Sequence, residues 1–411
     1  MVATPQIRPE AHPEIPTTAR NVDEAVRRFG AKAETYFAGM WRGDELADAF
    51  VADFAEIGHG KAMKMLRTAC RKGIDAVPNA PQSLRDLFAE LDTIPAWLDL
   101  DWIDDHTRHL PRYTRQAGIT LGAASLVSGY ANSAASRPLE LTGRYVENAG
   151  MRTIEVGSWL IAINERGGLR RYSHGFELTV RVRIIHALVR HSLSRSPEWD
   201  EDAWGVPICQ AFLAYTLIEF CLIPLRGMRA IGAPYQPDEV EAYYRSWRYV
   251  GHLLGIEENL LPVNQHDQEV LEDLYLLTRP EVDDYCRSLV AAINEEFLVP
   301  EIEEILPRQL HHMAPPTVAA LERIFLGDQI ADELGVDRAP RMTAVLRVLG
   351  PILATLNALL DRMPGVKPLR TRLGLRYRDK QDERLRTRYG VQHDLVDDSP
   401  AGGKAHPARA H

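Results

Sequence analysis

Apolar residues recur along the chain at three- and four-residue spacing, and no sustained two-residue alternation appears. The pattern predicts helices at Asn21–Met40, Asp44–His59, Lys61–Lys72 and Ser83–Leu91. The third places Ala62, Met65, Leu66 and Ala69 on one face. Val206–Ile223 reads as the most apolar helix, ended by Pro224. Residues 236–256 carry Tyr243, Tyr244, Trp247 and Tyr249, which either fill a core or wall a pocket. Later helices are predicted at Asp267–Leu277, Glu281–Phe297, Pro300–His311, Pro316–Leu326 and Arg341–Met363. The last repeats Leu346, Leu349, Leu353 and Leu356. FELTVRVRIIHALV contains an alternating stretch, but a helical period covers it better. The expectation is an all-α protein, one large helical domain over residues 21–378. Residues 1–20, with Pro5, Pro9, Pro13 and Pro16, read as a loose arm, and 379–411 as a charged, disordered tail.

Residues 114–135, TRQAGITLGAASLVSGYANSAA, are rich in Gly, Ala and Ser. Such a run suits close packing against another helix or against a flat ligand. Arg137–Pro138 is expected to break it. Beyond the break, Glu140 and Arg144 fall one turn apart, and Arg152 and Glu155 stand at i, i+3, the spacing of a local ion pair.

The 411 residues are 45% hydrophobic and 26% charged, ordinary for a soluble globular chain. A net charge of −9 argues against nucleic-acid binding, which depends on Lys and Arg neutralising phosphates. Cys70, Cys209, Cys221 and Cys286 form no C-x-x-C pair and read as reduced, buried thiols. The first twenty residues hold neither an apolar core segment nor twin arginines, so a cytoplasmic location is expected. The most membrane-like run, Val206–Leu225, contains Gln210, Glu219 and two prolines, and reads as a core helix rather than a transmembrane span.

Candidate chemistry centres on TVRVRIIHALVR, Thr179–Arg190. Arg183, His186 and Arg190 share a helix face, while Val182, Ile185 and Val189 turn toward apolar neighbours. One reading is a basic surface helix whose histidine is incidental. The other is a metal-ligating imidazole between two guanidiniums, the set a haem asks for with one axial ligand and cations for its propionates. No competing metal motif appears. H-E-x-x-H is absent, His311 and His312 are adjacent, and no Glu-x-x-His pair exists at Glu147, Glu155, Glu165, Glu219 or Glu241. No G-x-S-x-G elbow or phosphate loop is present.

The segment Arg183–Arg190, R-I-I-H-A-L-V-R, resembles the signature of the bacterial latex clearing proteins, rubber oxygenases in the superfamily of the MpaB-type oxygenases. The resemblance runs over about residues 100–300 and includes the later segment Trp247–Pro262, WRYVGHLLGIEENLLP. It implies a globin-like helical core around a b-type haem, with further helices flanking it. It further implies O2 and a hydrophobic, unsaturated, small or lipid-like substrate as partners, with attack on a C=C bond. By the same resemblance His186 is the proximal iron ligand, Arg183 and Arg190 flank it, and Thr216 lies on a haem-pocket helix. Arg152 resembles the arginine that opens the family's R-x-x-K-T motif on the distal side. This chain departs there: Glu155 replaces the lysine and Val156 the threonine. An acid at that point can serve as a base where the pocket raises its pKa. By the same resemblance Glu140 corresponds to the family's catalytic glutamate. Two other functions fit the same residues: a haem sensor or peroxidase-like protein, and a helical lipid- or partner-binding protein without a cofactor.

Overall fold

The computed structural model describes residues 14–143 and 149–390, with the side chains of Ala149 and Arg152 outside that description. Among the described residues there are helices and turns and no β-strand, so the chain is all-α as its apolar periodicity requires.

Two apolar clusters make up the interior. The larger gathers Tyr36, Phe50, Leu66 and Phe88 from the first part of the chain with the helices His174–Leu193, Gln210–Phe220, Pro237–Leu253 and Gln265–Thr278. The smaller packs Val127 and Ile154 against Leu289, Ile293, Val318 and Leu321. Leu126 and Phe325 touch both, so the two halves share a boundary.

Several elements differ from expectation for identifiable reasons. The first predicted helix is split into Val22–Phe29 and Ala31–Gly39 by Gly30, whose φ of +54° a residue with a side chain rarely adopts. Pro138 does not break the chain but lies inside the helix Ser133–Leu141. Pro224 does not end one either. It sits in the first turn of a new helix, Leu222–Ala230, where a missing N–H costs no intrahelical bond. Residues 14–20 are not a loose arm: the Thr17 and Arg20 amides donate to the carbonyls of Asp202 and Thr278 over 2.9 Å each. Nor does order stop at residue 378. The last helix is Val366–Tyr389, and Arg384 pairs with Glu301 over 2.7 Å while Leu385 is buried. Residues 391–411 lie outside the described residues.

The Gly/Ala/Ser-rich run is a helix with one irregular turn. Thr114–Thr120 widens into a π-helical turn at Leu121–Leu126 and resumes at Val127–Gly129. Gly122, Ala123, Ala124 and Ser125 are buried, and a Cβ on Gly122 would meet Leu298 at 2.5 Å. Close helix packing therefore accounts for the small residues there. All four cysteines are free and buried.

Among the described residues, two stretches are long and apolar enough to cross a membrane by composition, Gln210–Ala230 and Pro340–Arg362. The first is mostly buried inside the protein and the second is mostly exposed. Of the repeating leucines on the second, Leu349, Leu353 and Leu356 face outward.

Candidate functional site

The helix His174–Leu193 starts where Ser173 accepts a hydrogen bond from the Phe176 amide (3.2 Å) and donates to the Gly168 carbonyl (2.6 Å). The preceding helix, Ala149–Ile163, turns directly onto it. A Cβ on Gly168 would stand 2.2 Å from the Ala162 carbonyl oxygen, so only glycine permits that approach. Trp159 Nε1 donates to Thr179 Oγ1 across the pair (3.0 Å).

The helix is not a basic surface element. Arg181, Arg183 and Arg190 are all buried, and apolar residues surround it on most sides. Burying a guanidinium without a counter-charge is costly, so the chain must supply carboxylates. Asp44 accepts from Arg183 Nε (2.6 Å) and Nη2 (2.9 Å), and Glu90 accepts from Nη1 (2.7 Å). Asp44 also caps the helix Glu45–Ala52 by accepting from the Ala47 amide. One turn on, Asp48 accepts from Arg190 Nη1 (2.7 Å), while Arg190 Nη2 donates to the Ile208 carbonyl (3.0 Å). Arg183 and Arg190 thus clamp one helix to another through a matched pair of acids. The expectation that these arginines stand ready for a ligand's carboxylates is corrected: protein carboxylates occupy both.

Two glycines make the clamp possible. Gly255, at φ +77°, lies so close that a Cβ there would be 2.3 Å from Asp44 Oδ2 and 2.5 Å from Arg183 Nε. A Cβ on Gly43 would meet Arg190 Nε at 2.8 Å.

His186 lies between the two clamps. The ring is half-buried, and its Nδ1 is fully buried with no hydrogen-bond partner among the described residues. Burial, aided by the Arg190 charge, pushes its pKa down to about 4, so the imidazole is neutral near pH 7. A neutral imidazole with an unbonded buried nitrogen is the chemical form that ligates a metal. Among the described residues no group of three or more His, Cys, Asp or Glu side chains is arranged to hold an ion. A haem, which brings four of its own nitrogens, asks the protein for one such donor.

The remaining predicted residues make contacts of their own. Glu140 pairs with Arg137 in its own helix, and Arg137 also binds Asp283 (2.9 Å). Glu155 is half-buried on the helix Ala149–Ile163, and Val156 packs against the larger cluster. The Arg152 side chain lies outside the described residues. Thr216 Oγ1 donates to the Phe212 carbonyl (3.0 Å) on its own helix.

One turn beyond Thr216 stands Glu219, a buried acid that sequence reasoning passed over because no histidine follows it at metal-ligand spacing. Burial raises its pKa to about 8, which leaves it largely protonated at neutral pH. Its carboxyl abuts Gly129 at the end of the small-residue helix. Beside it, Ser128 Oγ and Tyr215 Oη share a 2.7 Å hydrogen bond, and the Tyr275 hydroxyl donates to the Gly129 carbonyl (3.2 Å). The rings of Tyr215 and Tyr275 stack face to face, 6° from parallel.

Known proteins share this arrangement of helices. The chain is 26% identical over 342 residues to the rubber oxygenase of Streptomyces sp. (strain K30), covering 79% of this chain and 78% of the relative. The solved structure of latex clearing protein in its closed state superposes with a TM-score of 0.64 at 20% identity, over 86% of this chain and 91% of the other. Residues 111–355, which contain His186, both clamping arginines, Thr216 and Glu219, match the catalytic domain described as ER-bound oxygenase mpaB/B'/rubber oxygenase. The chain therefore belongs to the MpaB and rubber oxygenase family.

Proposed function

We propose that this protein is a haem b-dependent oxygenase that uses O2 to oxidise or cleave a C=C bond in a hydrophobic, unsaturated substrate. Family membership supports the oxygenase class. The observation that carries the cofactor is His186, a neutral imidazole whose buried Nδ1 has no partner among the described residues. An unsatisfied buried nitrogen costs roughly 1–3 kcal/mol, which a bound ligand would recover.

The residue that would hold a haem is His186, by its neutral imidazole. The haem iron, when bound, supplies the O2 chemistry. Arg183 and Arg190 act as positioning residues: by locking Asp44 and Asp48 they fix the helix that carries His186. The nearby Arg190 charge also keeps the ring unprotonated. Thr216 and Glu219 lie one turn apart on the helix Gln210–Phe220, so a pocket bordered by one is within reach of the other. Glu219 holds a proton on its carboxyl at neutral pH and would be the proton donor that this helix offers. Glu155, where the resemblance implies a lysine, would put an acid in place of a cation.

The test is a visible spectrum of protein expressed with excess haem, oxidised and reduced, with O2 uptake measured on an unsaturated polyisoprenoid oligomer. A Soret band that disappears in His186→Ala, together with O2 uptake lost in the same variant, is expected. Colourless wild-type protein, or a band unchanged in His186→Ala, rules the reading out. A band with reversible ligand binding and no turnover points to a haem sensor instead.

A further inference from the structure

The helix Pro340–Arg362 contradicts ordinary burial. Its outer face presents Val348, Ile352, Leu356, Leu359 and Met363, each at least 50% exposed, and Leu369 continues the strip on the next helix at 55%. Isolated exposed apolar residues mean little, but a contiguous strip of this length marks an interaction surface. We propose that this face seats the protein on an anionic lipid bilayer, with the helix lying in the plane of the headgroups.

Charge decides the occupant. Val348–Leu360 is thirteen residues without a charge. From Ala339 to Arg378 the chain has eight cations and one acid, in a protein whose overall charge is −9. That acid, Asp361, is turned inward, where it accepts from Arg112 Nε (2.7 Å) and Arg370 Nη1 (2.7 Å). Between Ala339 and Arg378 the exposed charges, Arg341, Arg347, Arg362, Arg372 and Arg376, are therefore all positive. An apolar face with a cationic margin matches acyl chains beneath anionic headgroups. A second copy docked about a two-fold axis would bring these arginines against their own counterparts.

Geometry decides the orientation. The opposite face is fixed to the body of the protein: Asn357 Nδ2 donates to the Gly232 carbonyl (2.6 Å). Gly350 lies against the Ala230 carbonyl so closely that a Cβ would be 2.0 Å from its oxygen. A helix held this way cannot leave the protein to span a membrane without breaking those contacts. Its uncharged run, roughly 20 Å at 1.5 Å per residue, is also shorter than a hydrocarbon core of about 30 Å.

The experiment uses the full chain, without substrate, in sedimentation with vesicles of equal phosphatidylglycerol and phosphatidylcholine or of phosphatidylcholine alone. Wild-type protein is expected to pellet with the anionic vesicles, less so as salt rises. The triple variant Ile352→Glu, Leu356→Glu, Leu359→Glu should bind at least ~10-fold more weakly. Arg347→Gln with Arg372→Gln should lose binding to anionic vesicles selectively. Unchanged circular dichroism and melting show that the variants fold, which exposed positions permit. Wild-type protein that stays in the supernatant, or a triple variant that binds as well as wild type, overturns the proposal. So does a wild-type dimer by light scattering that the triple variant dissolves without any vesicle binding, which would assign the face to a second copy. None of these readouts depends on haem or oxygenase activity.

Discussion

Gly129 and Glu219 meet so closely that a Cβ on residue 129 would lie 2.4 Å from Glu219 Oε1. The absence of a side chain at one position is what makes room for a buried acid at the other. Gly129→Ala should therefore destabilise the protein by about 1–3 kcal/mol in urea unfolding, as overpacked cores do. In a Glu219→Ala background the same substitution should cost much less, and a double-mutant cycle reads the difference.

Glu219 also gives a pH signature. Its folded pKa is raised to about 8 from an ordinary 4.5, so the stability tied to its protonated form is fully present below pH 4.5. That stability is lost as pH rises toward 8, because the unfolded chain releases the proton first. Glu219→Gln should flatten the fall in melting temperature between pH 4.5 and 8 relative to wild type. A variant that falls as steeply as wild type would show that the carboxyl is ionised in the fold.

The clamp at Arg183 should behave as a buried ion pair. Arg183→Ala leaves Asp44 buried and unpaired, at an expected cost of about 3–5 kcal/mol. Arg183→Lys should recover little, since an ammonium cannot bond both carboxylate oxygens in the fork that Nε and Nη2 make. Chemical denaturation of the two variants, beside Asp44→Ala and the Arg183/Asp44 double variant, measures the coupling.

His186 should behave in the opposite way. Replacing it with Ala removes a buried nitrogen that has no partner among the described residues, so apo-protein stability should change by no more than about 1 kcal/mol while haem uptake is lost. Melting of apo-protein, beside haem titration of the same samples, separates the two effects.

The end of the last helix makes a further prediction. A chain stopped at Arg378 loses the Arg384–Glu301 pair, the buried Leu385 and the packing of Tyr389 against Gly150. It should be less stable by about 2 kcal/mol or more, read by urea unfolding.

Much of this architecture is legible in the residue order. The all-α character follows from apolar spacing, and so does the helix that carries His186. The partners of the arginines are not legible. Asp44 and Arg183 are 139 positions apart, and nothing local to either names the other. Nor does the resemblance that singles out Glu140 name its partner, Arg137. Glu219 looked like a stray polar residue, because its environment comes from Gly129 on a different helix. The tail misled because the charges from Asp379 onward read as a solvated, unpacked segment, whereas Arg384 finds Glu301 and Leu385 finds the interior.

The π-helical turn at Leu121–Leu126 holds more residues per turn than an α-helix and so takes up one extra residue locally. Deleting one residue there would let the turn close to an α-helical one, leaving Ser128 on Tyr215 and Gly129 on Glu219. The same deletion in a regular α-helical turn would rotate the following segment by about 100°. The wide turn is thus a place where this helix can change length by one residue without changing what it offers to the buried acid. Length variation at this turn among relatives would be expected to need no compensating change at position 219.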